Sequence, residues 1–445
     1  MAAALLLLAA CTRANEVVFE GGATTTLAAG TKALSASTAG TAAAPSSSPL
    51  PSTSSAATTV VAAPPATIPT SGQVLESLPG TIAVTGSSNE SMLLLGPNLE
   101  FETIDDVPGG FFAQPTWSPD GQFLAWARES VDGVTEVVVR STVDGTQSAY
   151  AVPYITFYMQ WRPDSRAIGL LGGGGAGTAL VVLDLDDETV SPLHAAGSFY
   201  FDWSPDGTSM ITHLDSSRLE FFDLDSGDVT LVDSETGIFQ AAVWTPNGDA
   251  IIYTRPSTIQ TAGIGGALVA QAVTVEELVL HHVATGEIEI LAHATGIGQF
   301  SLAPDGARVA FTAIGQGEES VMRVIDLATG QTEAIEAGFV FALQWSPDSN
   351  KIMLMGIDGP DIVYHVWDSG EVTSYIKATP TEIFLRYIRF WGQYDLSMRL
   401  WAPDSSAFVF TAEDGDDDSV FLQRLDDDLP IKLGPGSVAT FSPAG

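Results

Sequence analysis

The chain has 445 residues, 45% of them hydrophobic, and its 54 acidic against 17 basic side chains leave a formal charge of −37. That apolar content excludes a chain disordered throughout, and the acidity sets long-range repulsion against nucleic acid and anionic membrane surfaces, so neither is expected as a direct partner. A single cysteine, Cys11, excludes an internal disulfide.

In chain order, residues 1–10 are small and apolar. They are too short to span a bilayer and read as a processed leader. The run Leu8-Ala9-Ala10-Cys11 resembles the bacterial lipobox, although no positive charge precedes the apolar stretch. The resemblance implies cleavage before Cys11, acylation of its sulfur, and an extracytoplasmic, membrane-anchored lipoprotein, periplasmic or at the cell surface. Two or more acyl chains make such anchoring stable. Residues 11–72 are mostly Ala, Ser, Thr, Gly and Pro without a sustained period, so they read as a disordered tether. As a flexible coil it spans about 45 Å end to end, which lifts residues 73–445 clear of a surface.

The body opens with three β runs, 81–85, 92–95 and 99–103. Eight related turns follow: Trp117-Ser-Pro-Asp-Gly121, Trp161-Arg-Pro-Asp-Ser165, Trp203-Ser-Pro-Asp-Gly207, Trp244-Thr-Pro-Asn-Gly248, Leu302-Ala-Pro-Asp-Gly306, Trp345-Ser-Pro-Asp-Ser349, Trp401-Ala-Pro-Asp-Ser405 and Phe441-Ser-Pro-Ala-Gly445. The proline-to-proline steps are 44, 42, 41, 58, 43, 56 and 40 residues. After each turn comes an apolar β run such as 123–126, 250–253, 308–311 or 407–411, then a second run ending in an acidic turn, then a weaker third. The run into the next tryptophan completes four strands. A period near 40 residues with one tight turn per unit predicts an all-β fold, a single β-propeller of four-stranded blades. The run 437–441 is expected to join the three N-terminal runs in one blade, closing the ring at eight; seven remains the alternative if one degenerate copy is not a blade. No sustained amphipathic helical period is evident in the body.

These turns and the apolar strands behind them resemble the WD40-like Pro-Asp repeat of TolB-type β-propellers, also seen in the propeller of prolyl oligopeptidases. The resemblance covers roughly residues 79–445. It implies a propeller and says little about activity, since one propeller fold hosts many functions. Proline presets φ, Asp bonds nearby backbone and Gly tolerates positive φ, so turn chemistry explains Asp120, Asp164, Asp206, Asp305, Asp348 and Asp404 without catalysis.

There is no Gly-x-Ser-x-Gly elbow, no His-Glu-x-x-His and no Cys/His cluster. His281 and His282 share a predicted strand and point to opposite faces, so they cannot jointly chelate a metal. No cofactor is expected; acidic turns at 184–188, 223–228 and 414–418 offer oxygen ligands for Ca²⁺, without EF-hand spacing. Two long steps interrupt the rhythm: a Gly-rich apolar insertion at 256–274, and 379–398 with Arg386, Tyr387, Arg389, Phe390, Trp391 and Tyr394. Strand order puts both, and the glycine run 172–177, on the face opposite the Pro-Asp turns. Arg, Tyr and Trp are favoured at interface hot spots, so these six are the expected partner-binding residues; packing of the aromatics into the channel mouth is the competing reading. Two functions fit: a monomeric, non-catalytic, lipid-anchored scaffold binding an envelope protein, peptide or glycan, or a hydrolase- or lactonase-type enzyme with its site at the channel mouth. A plugged or aromatic mouth favours the first; converging carboxylates or histidines favour the second.

Overall fold

In the computed structural model, residues 67–443 are described, apart from 74, 175–176, 198, 216, 237–240, 262–270 and 315–319. The Pro-Asp turns are the local units from which it is built. In the first, Ser118 Oγ donates to Asp120 Oδ1 at 2.7 Å and accepts from the Phe123 N–H at 2.9 Å. Asp120 Oδ1 also takes the Gln122 N–H, while Gly121 supplies φ of 70°. The arrangement returns at Ser204, Asp206 and Gly207, where hydrogen bonds from Ser204 and the Thr208 N–H hold the Asp206 carboxyl below the usual range.

Three copies replace the glycine with serine at φ of 60–62°. A non-glycine residue is strained there by about 1 kcal/mol. The hydroxyls explain the exchange. Ser165, Ser349 and Ser405 Oγ accept the N–H of Asp120, Asp305 and Asp348 in the preceding blade, at 3.2, 3.0 and 3.2 Å. A local turn thereby becomes a blade-to-blade contact.

The described strands form seven four-stranded antiparallel sheets and one of three strands. The first six blades, numbered along the chain, begin at Phe111, Ile155, Phe199, Val243, Gly296 and Val340. In the seventh, Trp401 bridges Phe408 at the inner edge of the three-stranded sheet. In the eighth, Val438–Phe441 pairs with Ile82–Thr85 in the register Ile82↔Phe441, so both ends of the chain close one blade. Eight blades are present, and the seven-blade alternative falls. Packing also reaches into the stretch read as tether: Ile68 is buried, its N–H donates to Asp414 Oδ1, and the Ser71 N–H donates to the Pro430 carbonyl.

The motif position of each blade's innermost stretch is tryptophan in six of the eight blades, and most of these side chains join neighbouring blades. The indole N–H of Trp117, Trp161, Trp203, Trp345 and Trp401 donates to the carbonyl of Thr440, Thr116, Gln160, Ser301 and Gln344 respectively, at 3.1–3.2 Å. In each case the acceptor is the residue before the motif position of the preceding blade. Leu302 and Phe441 have no donor to offer. Trp244 breaks the pattern: its indole nitrogen has no partner among the described residues, and its ring lies 5.2 Å from Phe221.

The exception is testable. Trp203→Phe orphans a buried carbonyl, whereas Trp244→Phe removes a group that bonds nothing. Urea unfolding is expected to show Trp203→Phe costing about 1–2 kcal/mol more than Trp244→Phe.

Candidate functional site in the central channel

The insertion at 379–398 does contain helix, contrary to the sequence expectation. Helix α1 spans Glu382–Ile388 and helix α2 spans Trp391–Tyr394. Seven and four residues are too few to show a period, and neither helix would be stable alone. Local chemistry starts α1: Thr381 Oγ1 caps the Phe384 N–H, Glu382 stands in the first turn, and Arg386 pairs with Glu382 at 3.0 Å. Packing sustains both helices, with Phe384, Tyr387, Ile388, Trp391, Gln393 and Tyr394 all buried.

These side chains fill the channel and bond the inner strands around it. Tyr387 Oη accepts the Gln114 N–H at 2.9 Å in the first blade. Tyr394 Oη donates to the Phe157 carbonyl at 2.6 Å in the second. The Gln393 amide takes the Phe201 N–H at 3.2 Å and returns a bond to its carbonyl at 2.8 Å in the third. Asp395 accepts from Ser301 Oγ at 2.6 Å in the fifth, and Trp391 Nε1 donates to the Leu343 carbonyl at 3.0 Å in the sixth. Thr381 Oγ1 donates to the Ser437 carbonyl at 2.6 Å beside the eighth. Ring contacts fill the spaces between: Tyr387–Tyr394 at 4.8 Å, Tyr158–Tyr394 at 5.4 Å and Tyr158–Phe201 at 5.5 Å, all edge-on. The insertion is a plug.

Gln393 completes a pattern that begins in the blades. Gln114 reaches the next blade, donating to the Met159 carbonyl at 2.8 Å and accepting its N–H at 2.6 Å. Gln299 does the same for Leu343, at 3.2 and 2.9 Å. Both stand three residues before a motif position. In the second blade that place holds Tyr158, which cannot supply such an amide, and Gln393 from the plug serves Phe201 instead.

Two carboxyls at the channel are displaced by burial. Asp202, which accepts from Gln160 Nε2 at 2.7 Å and the Trp244 N–H at 3.0 Å, is pushed up to about 6, as is Asp395. Burial likewise raises the hydroxyls of Tyr158, Tyr387 and Tyr394, which stay neutral at physiological pH. Each of these groups is engaged with its own partner. Among the described residues, no three His, Cys, Asp or Glu side chains gather to hold a metal. In two acidic turns the leading carboxylate is occupied locally: Asp184 accepts the Asp186 and Asp187 N–H groups, and Asp223 those of Asp225 and Ser226. Asp414 binds the Ile68 N–H and Lys432.

The six residues singled out in the sequence separate into two sets. Tyr387, Trp391 and Tyr394 are buried in the plug, only 5%, 2% and 5% exposed. Arg386, Arg389 and Phe390 are exposed, with the Arg386 guanidinium 6.0 Å from the Phe111 ring. A seven-residue helix gives the sequence no way to tell its inward from its outward side. Exposed apolar residues that the sequence reading passed over also lie on this face: Leu385 on α1, Val131 and Val134 in the turn between the second and third strands of the first blade, and Ile155 and Phe339 where inner strands begin. Cys11 and the glycine-rich segment 262–267 lie outside the described residues, as do 175–176 of the run 172–177.

Neither a family model nor a curated protein matches the chain by sequence. Among solved structures it is similar to an oligogalacturonate lyase in complex with manganese, at 13% identity over 78% of this chain and 96% of that one, TM-score 0.52. A eukaryotic initiation factor aligns at 12% identity over 82% and 99%, and the dihydro-heme d1 dehydrogenase NirN at 15% over 86% and 80%, each with a TM-score of 0.52. TolB from Acinetobacter baumannii aligns at 16% over 58% of this chain and 64% of that one, with a TM-score of 0.35 that carries no argument. At these identities the likeness shows the β-propeller fold alone.

Two variants test the plug. Gln393→Leu leaves the Phe201 N–H and carbonyl buried and unbonded, and is expected to cost about 2–4 kcal/mol in urea unfolding. Asp395 has a folded pKa above its ordinary value, so its protonation favours the fold; that stability is complete below about pH 4 and is lost as pH rises through about 6. The melting temperature of Asp395→Asn, which keeps the acceptor for Ser301, is therefore expected to fall less than the wild type's between about pH 4 and pH 7.

Proposed function

We propose that the protein is a non-catalytic, lipid-anchored extracytoplasmic β-propeller that binds an envelope protein, peptide or glycan on the outer surface of its plugged face. The observation that carries this reading is the plug. The place where propellers assemble a site from converging inner strands is filled by the chain's own Tyr387, Trp391, Gln393 and Tyr394, each bonded to an inner strand. A ligand must then meet the exposed side of α1 and the blade rims around it. That side offers Leu385, Arg386, Arg389 and Phe390, a mixture of apolar, aromatic and guanidinium surface suited to recognition. Rigid blades below hold these groups in place, so little ordering is lost on binding. Anchoring through Cys11 rests on the lipobox resemblance, and the tether would let the head range over the surface.

Affinity capture from native membranes tests the surface. Phe390→Ala combined with Arg389→Ala is expected to reduce capture of the wild-type partner about tenfold or more, with an unchanged melting temperature, because both residues are exposed. Equal capture contradicts this surface, and turnover of esters, lactones or peptides by the purified protein contradicts a non-catalytic role. Cys11→Ser is expected to move the protein from the membrane to the soluble fraction; membrane retention would contradict the anchor.

A further inference from the structure

Each blade ends in an outer strand with no further strand beside it, and such edges invite pairing with another chain unless a charge or a proline blunts them. Six of the eight outer strands carry one: Glu102 in Phe101–Asp106, Pro192 in Thr189–Ala196, Glu289 in Ile288–Ala294, Glu333 in Thr332–Ile335, Lys377 in Glu371–Ala378 and Lys432 in Ile431–Pro435. A seventh, Gln147–Ala151, exposes no large apolar side chain, and its Gln147 amide donates to the Ile104 carbonyl of the eighth blade at 2.9 Å. The third blade differs. Its outer strand, Val229–Asp233, has neither charge nor proline before Asp233, and its Val229 and Leu231 are 44% and 54% exposed.

The backbone of this strand is set for addition. The Asp223 N–H donates to the Asp228 carbonyl at 2.9 Å, and the pairs Phe222↔Val229, Phe221↔Thr230 and Glu220↔Leu231 follow it in register. Bonded and non-bonded pairs alternate along an antiparallel ladder. Thr230 therefore bonds inward to Phe221, while the N–H and carbonyl of Val229 and Leu231 point outward, where no described strand meets them. Their two side chains share one face of the strand. Carboxylates stand at both ends: Asp225 and Asp228 before it and Glu235 after it are exposed, and no ion pair reaches the three among the described residues. Arg218, on the neighbouring strand, pairs with Glu220 instead.

We propose that this edge is a second recognition site, at which a segment of a partner protein adds as a further strand to the third blade. The occupant that fits is an extended segment with β-branched or apolar side chains at alternate positions and lysine or arginine at both ends. Main-chain bonds to Val229 and Leu231 supply affinity, and the flanking carboxylates select the basic ends. A second copy of this chain fits poorly, because it brings the same carboxylates to the edge and a charge of −37. The site lies on the outer rim of the ring and is independent of the surface on the plugged face.

Fluorescence anisotropy of the purified full-length protein with the labelled peptide Lys-Lys-Val-Thr-Val-Thr-Val-Lys-Lys tests this. Wild type is expected to bind it saturably, about tenfold more tightly than a peptide with the same ends and a Gly-Ser core, which reports charge attraction alone. Leu231→Lys blunts the edge and repels the basic ends. Leu231→Pro removes an outward N–H and leaves the bonds between Thr230 and Phe221 intact. Each is expected to weaken binding about tenfold. Arg389→Ala combined with Phe390→Ala is expected to bind as wild type does, which separates this edge from the plugged face. The proposal is overturned if wild type binds the two peptides equally, if Leu231→Lys binds as wild type does, or if the plug variant loses the peptide. A dimer in sedimentation that Leu231→Lys dissolves overturns it too, since the edge would then belong to a second copy. Should Leu231→Pro fail to fold, unweakened binding by Leu231→Lys decides against it equally.

Discussion

In a ring of blades, the innermost strand of each sheet has a hydrogen-bonding neighbour on one side only. Its other edge faces the axis, and any backbone N–H or carbonyl buried there without a partner costs about 1–3 kcal/mol. Most of this structure can be understood as the satisfaction of those groups. Motif tryptophans cap carbonyls of the preceding blade, and Gln114 and Gln299 bridge inner strands that diverge. Where the blades lack a suitable side chain, the plug supplies Tyr387, Trp391, Gln393 and Tyr394.

The plug is thus part of the fold before it is part of any function. Its inward residues are spent on backbone groups from several blades, which fixes the helices without help from their own short length. This leaves its outer side free to vary. The division between buried Tyr387, Trp391 and Tyr394 and exposed Arg386, Arg389 and Phe390 follows from that arrangement. The filled axis leaves the outer side of the plug and the blade rims as the exposed surface of this face.

Much of the architecture was legible in the sequence because each Pro-Asp turn declares itself within five residues. The period gave the blades, and the unclaimed runs at both termini gave the closure through Ile82–Thr85 and Val438–Phe441. Serine at the glycine position looked like simple degeneracy; its contact to the preceding turn is some 45 residues away and invisible locally. The plug was harder still. Gln393 and Phe201 are 192 residues apart, and nothing in either neighbourhood names the other. Composition singled out 379–398, but side-chain direction depends on where the helices sit, and that is decided by the blades. The start of the packed body was likewise set by tertiary contact, through Ile68 and Asp414.

Native-state hydrogen exchange tests the central claim most directly. If the plug closes the inner strands, the amides of Gln114 and Phe201, bonded to Tyr387 and Gln393, and those of helix Glu382–Ile388 exchange only with global unfolding, at the rate of the inner strands. Rapid exchange of these amides while the blades stay protected would show a plug that opens by itself, and would contradict the account.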